Sequence, residues 1–285
     1  MRRLLVAFGL FASISAASAA DYELPTLRGA EAVAPSASAC CPRWEGFYVG
    51  GQVGYGVASV DFRTSTADLV SHMLRELALE NEANVSSWQV LGKSDTGGGS
   101  YGGFIGYNIG WENLILGFEF NYSRTNFSAG APVSSISRVT TANNLIYDVA
   151  VTGSASMRIT DMATLRARAG FEIGNFLPYF MIGVAAGRAD IARSATVSGT
   201  QTDPNTSIVV PFTFSESDAK EGVFIYGWSL GGGLDVMIMP NIFLRGEYEF
   251  VGFAPAWDFK TGAAVDGRTR SVVVQTARAG LGFKF

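Results

Sequence analysis

The stretch that decides the fold reads LILGFEFNYSR and occupies residues 114–124. Every second residue in most of it is bulky and apolar, and small, polar or charged residues alternate with them. A repeat of two residues is typical of a β-strand, because successive side chains point to opposite faces of the sheet. The stretch therefore predicts a strand with two very different faces: Leu114, Leu116, Phe118, Phe120 and Tyr122 against Gly117, Glu119, Asn121 and Ser123.

Seven further runs show the same period, at residues 46–57, 101–111, 155–173, 177–191, 223–238, 241–253 and 271–285. The connections between the eight runs alternate in length. Short turns are expected at 111–113, 174–176 and 239–241, and long connections at 61–96, 126–150, 193–222 and 254–270. An even number of strands with this alternation is typical of a bacterial outer-membrane barrel, with short periplasmic turns and long outer loops.

The small face of these runs also carries the charges, which indicates the surroundings of the sheet. Small residues suit the narrow interior of an eight-stranded barrel, so the bulky face must point outward into lipid. A soluble lipocalin-like barrel, the alternative, would bury its bulky face and expose charge. Lipid cannot satisfy a free sheet edge. We therefore predict an all-β fold, an eight-stranded antiparallel transmembrane β-barrel over residues 44–285.

Aromatic residues near the strand ends suit two interfacial girdles of such a barrel. The outer girdle is expected to hold Tyr101, Tyr122, Phe224 and Phe250, and the periplasmic girdle Phe47, Trp111, Phe171 and Phe283.

The N-terminus has the pattern of a cleaved secretory signal peptide over residues 1–20. Two arginines precede a short apolar run and a small-residue segment, so cleavage is expected after Ala19 or Ala20. A membrane anchor is the alternative, but the run is shorter than the roughly 20 residues that a spanning helix needs. Residues 21–43 are rich in Ala, Pro and Ser and predict a flexible periplasmic linker. Cys40 and Cys41 lie in it, either incidental to function or bridging to a partner.

Composition excludes several classes of function. Of 285 residues only 16% are charged, the formal net charge is −4, and there is one histidine and two cysteines. An acidic chain without a Lys/Arg run is not expected to bind nucleic acid. The histidine, His72, lies outside every predicted strand, and no Gly-x-Ser-x-Gly element is present. We therefore expect no enzyme, no catalytic residue, no cofactor and no metal site.

Ten charged residues fall on the small, inward face of the predicted strands. Buried charges are costly unless they are paired, so a balanced set indicates an ion-pair network that fills the lumen. A narrow charged pore with gating is the alternative interpretation, although selective pores usually show one dominant sign. The acidic members are Glu119, Glu172, Asp235, Glu247 and Glu249, and the basic members are Arg166, Arg168, Arg245, Arg278 and Lys284.

The first long connection has an internal pattern of its own. Residues 65–68 have capping-box spacing, and apolar residues then recur at helical spacing, which predicts an amphipathic helix over 67–82. Its apolar stripe either packs on the barrel mouth or binds an extracellular partner that the sequence does not identify. The candidate contact residues are Leu69, His72, Met73 and Leu77.

Four stretches resemble a known family: 44–50, 165–171 followed by 177–179, 227–233 and 243–248. In this order they are similar to the small outer-membrane β-barrels of alphaproteobacteria, the outer-membrane immunogenic protein family with OmpA-like barrels. The end of the chain, LGFKF, looks like the aromatic signal that the barrel-insertion machinery reads, with Phe283 and Phe285 as its aromatic residues. Some relatives bind haemin, and His72 and Met73 are residue types that ligate iron.

These features together predict a surface protein of a Gram-negative outer membrane, in contact with outer-membrane lipid and lipopolysaccharide. We expect a structural role, in which the barrel stabilises the envelope and displays its outer loops. A small porin is the first alternative, and a loop-mediated adhesin or haemin-binding protein is the second.

Overall fold

The structure, a computed structural model, describes residues 44–254 and 272–285. Eight antiparallel strands form one closed barrel in chain order, and β1 pairs with β8 to close it. The predicted fold class is confirmed. The signal peptide, its cleavage site, the linker and Cys40 and Cys41 lie outside the described residues. The strands are β1 Gly46–Asp61, β2 Lys93–Trp111, β3 Leu114–Ala142, β4 Leu145–Phe171, β5 Phe176–Thr202, β6 Val209–Met239, β7 Ile242–Phe253 and β8 Val272–Lys284.

The bulky face points outward and the small face points into the lumen. On β3 the side chain of Phe118 is 68% exposed, whereas its neighbour Glu119 is 2% exposed. Glycine on the inner face is what permits the tight curvature. At Gly102 an added methyl group would collide with the carbonyl oxygen of Tyr122 on the neighbouring strand, so a larger residue would push β2 and β3 apart.

Two of the four long connections are hairpins rather than loops, which corrects the expectation for 126–150 and 193–222. β3 and β4 continue to a tight turn at Asn143 and Asn144, whose φ angles of 50° and 61° suit asparagine. These segments are rich in Ser, Thr and Val, and their hydroxyls pair across strands, as in Thr152 to Ser135 at 3.1 Å. These segments lie beyond the apolar, lipid-facing part of the strands, which we call the apolar belt. They therefore lack the alternation of bulky and small residues that predicts strands in the sequence.

The β5–β6 hairpin closes with a turn built on Asp203. Its carboxylate accepts hydrogen bonds from the backbone N–H of Asn205 at 2.8 Å and the hydroxyl of Thr206 at 2.9 Å. These donors, the Asn205 N–H first, lower the pKa of Asp203 below its usual value. An aspartate that bonds its own backbone two residues on is a common turn former.

The predicted helix over 67–82 is two short helices, α1 Ala67–Leu74 and α2 Ala78–Ala83, followed by a 3₁₀ turn at Val85–Ser87. The helix begins one residue later than the capping-box spacing predicts: its N-cap is Thr66, whose side chain makes no capping hydrogen bond, and the Ser65 hydroxyl donates to the carbonyl oxygen of Phe62 at 2.7 Å. Leu74 and Leu79 are both fully buried. Five residues apart on one helix they would point about 140° apart, so the break lets both pack inward. Among the described residues no helix is long and apolar enough to cross a membrane.

Candidate functional site in the barrel lumen

A network of buried charges crosses the lumen between five strands. Its members are no more than 6% exposed, and four acidic residues balance four basic ones: Glu119, Asp235, Glu247 and Glu249 with Arg166, Arg168, Arg245 and Arg278. We call these eight residues the lumen network. It joins β3, β4, β6, β7 and β8.

Strand register creates the first pairs of the lumen network. Glu119 lies opposite Arg166 on β3 and β4, Asp235 opposite Arg245 on β6 and β7, and Glu247 opposite Arg278 on β7 and β8. Opposite charges at directly facing positions of neighbouring strands attract each other. Three local pairs therefore exist before any contact forms across the lumen.

Contacts across the lumen then connect these pairs through Arg166 and Arg245. Arg166 donates to Glu119 on the neighbouring strand and to Glu247 Oε1 at 2.7 Å on the far side. Arg245 reaches Glu119 Oε2 at 2.6 Å and Asp235 Oδ1 at 2.9 Å. Planar guanidinium groups with several donors suit such shared contacts, since each can serve two carboxylates.

The two other arginines fill the margins of the lumen network. Arg168 donates to Asp235 at 2.7 Å, and its guanidinium carbon lies 3.9 Å from the centre of the Tyr179 ring. Arg278 lies 2.5 Å from Glu249 Oε2 and 3.1 Å from Glu247 Oε1. Every charge of the lumen network thus has a partner of opposite sign within ion-pair distance.

Apolar layers lie on both sides of the lumen network. At the end with the short turns, seven buried side chains form a floor: Trp44, Tyr48, Phe104, Ile115, Leu177, Met237 and Phe243. Towards the long connections a larger buried cluster draws residues from most strands, among them Val60, Phe127, Ile159, Ile225, Phe253 and Val274. Between the lumen network and this larger cluster lies a layer of buried polar side chains, namely Gln52, Asn121, Ser123, Thr164, Ser229 and Thr276. The lumen is therefore filled with side chains in four successive layers.

The first connection adds a fifth layer, because α1 and α2 pack against the parts of the strands that extend beyond the apolar belt. Their buried leucines join Val149 and Val151 of β4 and Ala195 and Val197 of β5 in one cluster. Arg193 of β5 holds α1 in place, pairing with Asp68 at 2.6 Å and with Asp218 of β6 at 2.9 Å.

The comparisons with known proteins agree with this architecture. The family described as outer membrane protein beta-barrel domain matches residues 6–285. The chain belongs to this family. It is thus an outer-membrane β-barrel. Barrels of this kind have short turns on the periplasmic side, so the short turns mark the periplasmic end. No curated protein sequence matches the chain.

Several solved structures are similar to this outer-membrane barrel. Ail, the attachment invasion locus protein of Yersinia pestis, is 13% identical, with 84% of this chain and 99% of that chain covered and a TM-score of 0.32. Neisserial surface protein A is 12% identical, with 84% and 97% covered and a TM-score of 0.36. The N-terminal barrel domain of Pseudomonas aeruginosa OprF is 12% identical, with 84% and 97% covered and a TM-score of 0.32. At TM-scores this low, none of these likenesses carries an argument about function.

Two charged residues that were expected in the lumen lie outside the lumen network. Glu172 follows the last residue of β4, in a periplasmic turn, and makes no ion pair within residues 44–254 and 272–285. Lys284 ends β8 and donates to the backbone oxygen of Glu45 at 2.9 Å. Both residues follow the alternation that places side chains on the inner face. At the rim of the barrel, however, each lies at or just beyond the end of its strand, and its side chain does not reach the lumen network.

Two tyrosines belong to the site although sequence reasoning did not select them. The Tyr48 hydroxyl donates to Glu119 Oε2 at 2.7 Å, and the Tyr179 hydroxyl donates to Glu247 Oε2 at 3.1 Å. The alternation of the strand could have found Tyr48. It lies between Phe47 and Val49 of the bulky face, and therefore belongs to the small face of β1. A large side chain on that face must fill space inside the barrel.

The candidate contact residues of the first connection do not share one surface. Leu69 is buried and Met73 packs on the same cluster, whereas Leu77 is 37% exposed. His72 points elsewhere, with Nδ1 3.1 Å from Glu216 Oε2. His72 and Met73 therefore do not converge on one ligand. Among the described residues no group of His, Cys, Asp and Glu is placed to hold a metal ion.

The aromatic end of the chain lies at the periplasmic rim. Phe283 is exposed on the outer face of β8, and the backbone N–H of Phe285 donates to the Phe47 carbonyl at 2.9 Å. The ring of Phe285 lies 5.6 Å from Phe47 and 5.0 Å from Phe283. Edge and tilted contacts at such separations are favourable between aromatic rings.

Proposed function

We propose that this outer-membrane barrel is a sealed structural protein, which stabilises the envelope and presents two long hairpins and the helical first connection outside the cell. One observation carries the proposal: the balanced lumen network lies between two apolar layers. Ions enter a pore only where water or fixed polar groups replace their hydration shell. A lumen closed in this way supports a barrel that does not conduct.

The small porin is the competing function, and the two differ in what the lumen network does. In a gated pore the pairs would exchange partners and open a path. In a sealed barrel they brace the strands, and their loss costs stability. Four positive and four negative residues leave no dominant sign in the lumen, which favours the brace.

The test is planar-bilayer conductance of the refolded mature chain, residues 21–285, after a heat-dependent gel shift has shown that it folded. We expect no reproducible current steps from the wild-type barrel. The double variant Arg166→Gln/Arg168→Gln should unfold more easily and still not conduct. Regular steps from folded wild-type protein, or steps that appear or grow in the double variant, would make the protein a small porin.

We also propose three finer assignments that the sequence motifs support. The first is membership of the alphaproteobacterial outer-membrane immunogenic protein group, which the order of the four motifs supports. The signal peptide is removed after Ala19 or Ala20, which the N-terminal mass of protein from the outer membrane tests. The barrel-insertion machinery reads Phe283 and Phe285, whose rings lie together at the periplasmic rim.

A further inference from the structure

The apolar belt of the barrel ends at a definite height on β3. Its outward residues run from Leu114 to Tyr122, and the next outward residue is Arg124. Ten residues at about 3.3 Å each, tilted by roughly 40°, rise about 25 Å, which is the height of the apolar band in such barrels. Arg124 therefore lies at the outer boundary between acyl chains and headgroups.

Neighbouring strands place charge at the same boundary. Arg124 lies opposite Asp161 of β4, and Asp161 lies opposite Arg188 of β5, so two guanidinium groups flank one carboxylate. Counted from the periplasmic turn, Arg188 is the first charged residue on the outer face of β5. Arg124 has the same position on β3.

Three register shifts coincide at this height. They fall between Arg124 and Phe127 in the β3–β4 pair, between Ile159 and Asp161 in β4–β5, and between Ala189 and Ile191 in β5–β6. Thr160 is the extra residue of β4, so Arg158 and Asp161 share the outward face although they are three residues apart. Bulges often re-aim side chains in this way beside functional sites.

The guanidinium groups of Arg124, Arg158 and Arg188 have few protein contacts, although Arg124 and Arg188 both attract the carboxylate of Asp161 that lies between them. All three side chains are exposed, and none forms a salt bridge with any residue of 44–254 or 272–285, whereas every arginine of the lumen network does. Arg158 has one long contact, 3.4 Å to Asn126.

The nearby carboxylates already accept hydrogen bonds from other donors. Asp161 accepts from the Tyr122 hydroxyl at 2.7 Å and the Thr160 hydroxyl at 2.9 Å, and Asp190 accepts from the Gly222 N–H at 2.8 Å. Lys220 and Glu221 of β6 lie beside Gly222 and offset each other in charge, so the three arginines outnumber Asp161 and Asp190 and the patch is positive.

We propose that Arg124, Arg158 and Arg188 form a binding site for the phosphate groups of the glycolipid in the outer leaflet. Guanidinium groups bind phosphate through paired, charge-assisted hydrogen bonds. Neighbouring strands lie about 4.8 Å apart, so the Cα atoms of Arg124 and Arg188 are separated by roughly 10 Å, within reach of one bisphosphorylated headgroup. The source is membrane lipid rather than free phosphate, because the arginines lie directly above the lipid-facing belt.

The test is binding of bisphosphorylated lipid A to the barrel refolded in detergent. The triple variant Arg124→Gln/Arg158→Gln/Arg188→Gln should bind at least tenfold more weakly, since it loses the charge-assisted hydrogen bonds of all three guanidinium groups. The variant with lysine at the same positions keeps the charge and should retain more affinity than the glutamine variant. Arg63→Gln/Arg75→Gln/Lys93→Gln removes the same charge around the first connection and should bind as wild type does.

Two further probes identify the ligand chemistry. Dephosphorylated lipid A should bind wild type and triple variant equally weakly, and inorganic phosphate should not displace the phosphorylated lipid. The proposal is wrong if the triple variant binds as wild type does, or if the control loses as much affinity. Displacement by inorganic phosphate would show a free-anion site instead. A heat-dependent gel shift checks that each variant is folded, and Arg158→Gln alone replaces the triple variant if that one fails.

Discussion

At the scale of single residues, the lumen network depends on arginines that serve several carboxylates. Arg166 is 1% exposed and lies within ion-pair distance of Glu119, Glu247 and Glu249. Burial makes such a residue costly to remove, because its partners stay buried without a counter-charge. Its contribution to the free energy of unfolding should therefore far exceed that of an arginine at the surface.

Replacing Arg166 by Gln should destabilise the barrel by about 3–5 kcal/mol, the range for breaking a buried pair from one side. Urea unfolding in lipid vesicles, followed by tryptophan fluorescence, measures the change. Arg63→Gln is the control, because Arg63 is about half exposed and, within residues 44–254 and 272–285, forms an ion pair only with Asp61, at 2.6 Å. Its loss should destabilise the barrel far less, because an ion pair at the surface contributes little to stability. Equal decreases in the free energy of unfolding of the two variants would contradict a stabilising role of the lumen network.

At the scale of secondary-structure elements, the first connection is held on the inner face of the extended strands. Apolar packing anchors α1 and α2, and Arg193 adds a polar clamp between α1 and β6. Sequence periodicity predicted helical structure here, and it left open whether the apolar stripe packed inward. The break after Leu74 could not be predicted, since it depends on the wall formed by β4 and β5.

Arg193→Gln should loosen the first connection without opening the barrel. Asp68 and Asp218 then lose their shared partner, so cleavage of residues 62–92 by a protease should become several-fold faster, as expected for roughly 1 kcal/mol of lost docking free energy. Arg188→Gln removes the same charge from the same strand, at a residue without an ion pair among those described, and should cleave at the wild-type rate. Unchanged cleavage of the Arg193 variant would show that apolar packing alone holds the connection.

At the scale of the whole molecule, closure and filling act together. β1 pairs with β8, and the lumen network ties β8 and β7 to β3, β4 and β6. Strands that are distant in sequence thus share buried partners, which makes a partly closed barrel unfavourable. The aromatic contacts of the last residue lie at this same seam, where Phe285 meets Phe47.

Phe285→Ala should lower the amount of assembled barrel in cells while leaving the refolded barrel nearly as stable as wild type. The reason is that the expected role of this residue is recognition during insertion, and its ring is largely exposed once folded. Heat-dependent gel shift of the outer-membrane fraction, beside the protein refolded in detergent, separates the two effects. Phe176→Ala is the control, because Phe176 is also an exposed aromatic residue at the periplasmic end of the barrel. This variant should assemble normally. An equal decrease in its assembled barrel would argue against a signal at the end of the chain.

The alternation of bulky and small residues by itself determined the strands inside the belt, their inward and outward faces and the closed barrel. This was possible because lipid and lumen impose opposite demands on neighbouring residues. It also placed Glu119, Arg166 and the rest of the lumen network on the inner face. Only the tertiary structure decided which charges meet across the lumen, that Glu172 and Lys284 do not, and that two connections are hairpins. Those outcomes depend on register, strand ends and contacts between distant segments, which a local pattern does not contain.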